Sequence, residues 1–161
     1  MKHAPTIALA ACTVVWLSAG AAAQRKTDFP ITVRPATLAD AIDQLAGFDV
    51  RVPNARVVGV FNPRVFVVDT DMRLNSPGYR DRVLVFIESG ALRVSRSTIV
   101  GATVRISGIA RTLLSMQVTR EVPWPSELNP DTVKRLEIRA AVLASSVHTP
   151  EGVELTGQTP P

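Results

Sequence analysis

The chain has one cysteine, Cys12, and none after it. A disulfide scaffold, a thiolate zinc site and a cysteine nucleophile are therefore excluded from the body of the protein. Histidine is almost as scarce, with His3 and His148 alone, so neither a histidine-centred triad nor a multi-histidine metal site can be built once the first residues are removed. Aromatic residues make up only 5%. Lysine occurs at Lys2, Lys26 and Lys134 only, which leaves the positive charge almost entirely to arginine. No P-loop, G-x-G-x-x-G or G-x-S-x-G sequence occurs, and Ser89-Gly90 and Ser107-Gly108 stand isolated without a hydrolase signature.

What remains is ordinary in bulk. At 161 residues, 46% hydrophobic and 20% charged, the chain has the size and composition of one globular domain, neither wholly disordered nor a multi-span membrane protein. The N-terminus predicts its compartment. Met1-Lys2-His3 is a short basic start, Ala4–Ala19 is mostly apolar, and Gly20-Ala21-Ala22-Ala23 before Gln24 has the small residues of a cleavage region, so 1–23 reads as a secretory signal peptide and the protein as exported, periplasmic or secreted. Pro5, Thr6, Thr13 and Ser18 dilute the apolar run and argue against a permanent anchor. Leu9-Ala10-Ala11-Cys12 resembles a lipobox, the alternative in which Cys12 is lipidated, but the apolar run continues past it. Without 1–23 the chain carries 17 basic and 14 acidic residues, a formal charge of +3, too mild to specify an anionic partner.

Residues 24–36 read as an extended lead-in, and 37–148 as the folded domain. Thr37 is placed as an N-cap, with Asp40 in the capping-box position. Leu38, Ala41, Ile42 and Leu45 on one face then predict a helix from Leu38 to Ala46. Val50 and Val52, then Arg56–Phe61, the turn Asn62-Pro63 and Arg64–Asp69 make a hairpin. Thr70–Asp81 reads as a loop, Arg82–Glu88 as a strand, and Leu92 and Val94 as a short turn or strand. Gly101–Arg111 alternates, Val104 and Ile106 on one face and Arg105 and Ser107 on the other, and Gly108 within it predicts a bulge or bend. Pro123, Pro125 and Pro130 allow only a short helix or turns before the last β-rich run, Ile138–Val147. From His148 the chain reads as a tail, 149–161, with little reason to fold.

Five β-rich runs are too few for an immunoglobulin-like sandwich and suit a small five-stranded barrel. The runs Arg56-Val57-Val58-Gly59-Val60-Phe61, Arg64–Asp69, Val83–Phe86 and Gly101–Arg111 resemble the bacterial OB-fold pattern, in which a V-x-G-x-V strand precedes a hairpin and a later G-x-x-V-x-I-x-G strand carries the barrel bend. The resemblance covers roughly Leu38 to Val147. It implies a mainly β, OB-like Greek-key barrel with one short N-terminal helix and an irregular or short helical crossover before the last strand. Its motifs encode geometry and no chemistry, so it leaves function open.

Candidate ligand-binding residues are Arg64, Arg82, Arg105 and Arg111 with Tyr79 and Trp124. Arginines converging on one barrel face beside aromatic rings would suit a single-stranded polyanion. Alternation places Phe66 and Phe86 in the core, and Trp124, held between two prolines, either plugs a barrel end or stands exposed. Asp69 and Asp71 in a D-x-D pair, with Asp81 across the loop, could serve as acid and base or bind a hard cation, though aspartates also cap strands and turns and no calcium loop surrounds them. The expectation is an exported, non-enzymatic binding module without cofactor or metal. Its partner is an envelope protein, a glycan or a polyanion, with nucleic acid disfavoured by the compartment. The rivals are a carboxylate-based envelope hydrolase and an envelope structural or stress protein.

Overall fold

The computed structural model describes residues 29–70, 81–120 and 122–157. The expected signal peptide with Cys12, most of the loop holding Asp71 and Tyr79, and the last four residues lie outside the described residues. The elements follow as β1 (Ile31–Thr32), α1 (Pro35–Asp40), α2 (Ile42–Leu45), β2 (Asp49–Asn62), β3 (Val65–Thr70), β4 (Val83–Ile87), β5 (Ala91–Leu92), α3 (Arg96–Ile99), β6 (Thr103–Thr112), α4 (Leu113–Thr119), α5 (Pro130–Leu136), β7 (Ala140–His148) and β8 (Thr156–Gly157).

Five strands close into a barrel in the order β2-β3-β4-β7-β6, with β6 pairing back onto β2. The β4–β7 pair is parallel and the other four are antiparallel. β2 serves two barrel neighbours, β3 and β6, because it is long and bent. Pro53 and Asn54 fall where its register with β6 shifts between Val52 and Ala55, and Asn54 adopts a positive φ of 53°. Val50, Val52 and Arg56–Phe61, named in the sequence as successive pieces, belong to one strand that runs through on a bulge, the device that curves a barrel.

Side chains pointing inward form one core, among them Val50, Val52, Val57, Phe66, Val68, Val85, Ile87, Val104, Ile106, Val142 and Val147. Helices α1 and α2 close one end through Leu38 and Ile42, fixed by Ala36 N–H donating to Thr70 Oγ1 and Gly47 N–H donating to Ala110 O. Leu92, Ile99 and Leu155 join the core at the other end, where Leu92 N–H donates to Pro63 O and Leu155 N–H to Val147 O. The outer faces of β3, β4 and β7 carry a second buried cluster. Val65, Val67, Leu84, Phe86, Ala141 and Leu143 pack there under Leu113, Met116, Val122, Leu128 and Ile138 of the segment that joins β6 to β7. These strands are therefore buried on both sides, which is why they read as unbroken apolar runs where β6 alternates.

Three expectations are corrected. The helical run starts earlier than Leu38 and divides at Ala41 (φ −102°, ψ 17°), and Thr37 lies inside α1: the N-cap is Arg34 without a side-chain cap, and Pro35 supplies the preset first turn. The stretch 24–36 is not a free extended lead-in: among its described residues, extended β1 pairs parallel with β2, and the chain turns helical at Pro35. The tail is folded through Gly157. His148 bridges Glu154, β8 pairs antiparallel with β5, and Leu155 and Thr156 are buried. Its apolar Leu155 has a barrel end to cover, and that outweighs the local Pro and Gly signals. The crossover before the last strand holds the expected short helix, α5, and also α4, which the sequence reading does not give.

Candidate functional site

The arginines are placed apart. Arg64 sits at the tip of the β2–β3 hairpin and its Nη2 donates to Ile87 O (3.2 Å) and Glu88 O (2.9 Å), tying the turn to the end of β4. Arg82 lies at the opposite end of the β3–β4 ladder, roughly 17 Å away at ~3.4 Å per residue, and its guanidinium pairs with Asp69 at 3.9 Å. Arg105 is exposed on β6, and its Nη2 donates to Pro150 O at 3.1 Å. Arg111 is half-buried near the end of the same strand. Among the described residues Arg64, Arg82 and Arg105 have separate partners on separate parts of the barrel. Asp69 also accepts from Thr70 N–H at 2.7 Å. Phe66 and Phe86 are both fully buried, Phe66 inside the barrel and Phe86 on its outer wall.

Trp124 neither plugs a barrel end nor stands free. Proline on each side fixes the local backbone, and a residue before proline is held extended, so Val122 and Trp124 stand on a stiff segment, Val122 buried and Trp124 half-buried against the outer wall of the barrel. The indole stacks on Phe86, centroids 5.5 Å apart at 32°. Its Nε1 donates to Leu128 O at 2.6 Å, across a turn closed by Leu128 N–H to Pro125 O. Ring position is thus set from both sides, by packing and by a hydrogen bond. Asn129 then starts α5, its Oδ1 accepting from Thr132 N–H, and Thr112 starts α4 by accepting from Ser115 N–H.

Between the α4 C-terminus and this segment lies an open cleft of about 830 Å³, lined by Trp124, Pro123 and Pro125 with Gln117, Arg120 and Asn129 among its polar members. Arg120 ends α4 in the left-handed region (φ 50°, ψ 37°), a position usually given to glycine. A smaller depression of about 340 Å³ lies beyond α4, beside Leu114, Val133 and the exposed Asp43–Arg139 pair (2.8 Å). Of the candidate residues from the sequence that are described, Trp124 alone lines this cleft. Gln117 and Arg120 were missed, because α4 itself was not foreseen.

Comparison with known protein families, curated proteins and solved structures finds no match to the chain.

Proposed function

We propose that the chain is an exported, non-enzymatic binding module built on an OB-type barrel, with its ligand site in the Trp124 cleft. Support for the OB type comes from the Greek-key order. The first barrel strand pairs with both the second and the fourth, the third runs parallel to the fifth, and a helix between the third and fourth closes one end. The signal-like N-terminus supports export, and among the described residues no helix is long and apolar enough to cross a membrane. Export away from nucleic acid and the dispersed, partnered arginines support a glycan or envelope protein over a polyanion. The engagement of Asp69 by Arg82 and Thr70 speaks for binding over carboxylate catalysis.

The observation that carries the proposal is the cleft itself. Strands 2 and 3 of an OB barrel commonly present the ligand face. Here the corresponding strands, β3 and β4, are covered by residues 113–138, and the rigid Trp124 is the aromatic surface left at the outside of that cover. A protein-contact reading draws on Leu114 and Val118, 70% and 74% exposed on the adjoining face of α4. Backbone amide spectra of the isotope-labelled protein, recorded against a library of small polar ligands, test the site. Perturbations grouped in Gln117–Asn129 are expected, and perturbations grouped about Arg51, Arg56 and Arg105 would overturn it.

A further inference from the structure

We infer that the cleft takes an uncharged carbohydrate, a pyranose ring stacking on Trp124; this rests on the reading of the cleft as the ligand site. The indole has spent its one polar hydrogen on Leu128 O, so what it offers a ligand is a flat π surface. Around that surface stand groups of mixed donor and acceptor character. Gln117 keeps both halves of its amide, Asn129 keeps its NH₂ after its oxygen accepts from Thr132, and Arg120 adds a fan of donors. Sugar hydroxyls both donate and accept, and the C–H face of a pyranose is flat and apolar, so one such ring uses both features at once.

The charge argues the same way. Among the described residues the lining holds a single guanidinium and no carboxylate, a balance that suits a neutral ligand better than a polyanion or a cation. A proline-rich peptide docks in grooves lined by several aromatic rings, and Trp124 is the single aromatic residue among the described lining residues. The volume, about 830 Å³, is in the range of sites for ligands of this size. Arg120 lines the cleft from the left-handed C-cap of α4, so the helix end sets its backbone there.

The test uses the full chain with Trp16→Phe, which makes Trp124 the only indole. Its emission is followed during titration with neutral glucose and N-acetylglucosamine oligomers, with heparin and with an oligoproline peptide. The expected result is a saturable change with a neutral oligosaccharide that persists at high salt. Arg120→Gly should then weaken binding by about tenfold or more, the loss of a charge-assisted hydrogen bond, while its melting temperature stays level or rises. Gln117→Leu gives a second variant that leaves the backbone untouched. If heparin or oligoproline shifts the emission and no oligosaccharide does, the carbohydrate assignment is overturned while the cleft stands. If oligosaccharide binding is indifferent to Arg120→Gly and Gln117→Leu, the cleft falls with it. No emission change with any oligosaccharide also overturns the assignment.

Discussion

At Gly108 the barrel has no room for a side chain. A Cβ there would fall onto Leu143 O and lie 2.7 Å from Ala144 Cα. The reason is the register shift at this point, where Ser145 is the extra residue of β7 between the pairs Ser107–Ser146 and Gly108–Ala144. Gly108→Ala should therefore destabilise by about 2 kcal/mol, the cost of forcing atoms into a packed backbone. Gly59, with nothing within 4 Å of an added Cβ, is the control: Gly59→Ala should be neutral or raise stability by a few tenths to about 1 kcal/mol. Equal urea midpoints for the two variants would refute this account of the bend. The bend was legible because a glycine interrupts a clean alternation. The bulge at Pro53-Asn54 was not, because a proline inside a β-rich run signals an interruption equally well. Phe86 shows a further limit: burial was readable from its neighbours, but in a strand with no polar face the choice of inside or outside is unmarked.

At the scale of elements, the continuous runs Val65–Val68, Val83–Ile87 and Ala140–Ala144 were legible as strands, and the structure covers them on both faces. What covers them was hidden. In α4 the residues Leu113 and Met116 face the barrel while Leu114 and Val118 face outward, so the helix is apolar on both sides and has no readable stripe. The segment after His148 misled for the opposite reason. Its Pro150, Gly152 and Gly157 suggest a loose tail, and only the open barrel end explains why Leu155 is held 9% exposed against the core. Leu155→Ala should cost about 2–3 kcal/mol, as other buried leucine truncations do. Val153→Ala, at 61% exposed in the same segment, should change stability by less than about 0.5 kcal/mol. Thermal unfolding of the two variants checks this, and equal midpoints would mean that the tail contributes nothing to the closed end.

The whole molecule is a barrel with both ends stoppered and one wall roofed, and that arrangement decides how its charge can act. The β3–β4 wall, where a strand of nucleic acid would lie on an open barrel of this kind, is under α4 and α5. The exposed arginines Arg51, Arg56 and Arg105 lie on the outer face of β2 and β6, away from the roof and without an aromatic partner among the described residues. Single-strand binding needs a cationic track and stacking platforms together. Oligo-dT and heparin should accordingly show no salt-sensitive binding, since few condensed counterions could be released by so dispersed a set of charges. Replacing Arg64, Arg82 and Arg105 by serine would then be a stability experiment. Arg105 is exposed and contributes little, but loss of Arg64 removes the hydrogen bonds to Ile87 O and Glu88 O that clamp the hairpin, and should cost about 1–2 kcal/mol. Arg64→Ser alone should account for most of the loss seen in the triple variant. Tight oligo-dT binding at low salt that vanishes in a variant of unchanged melting temperature would reverse this conclusion and return the arginines to the centre of function.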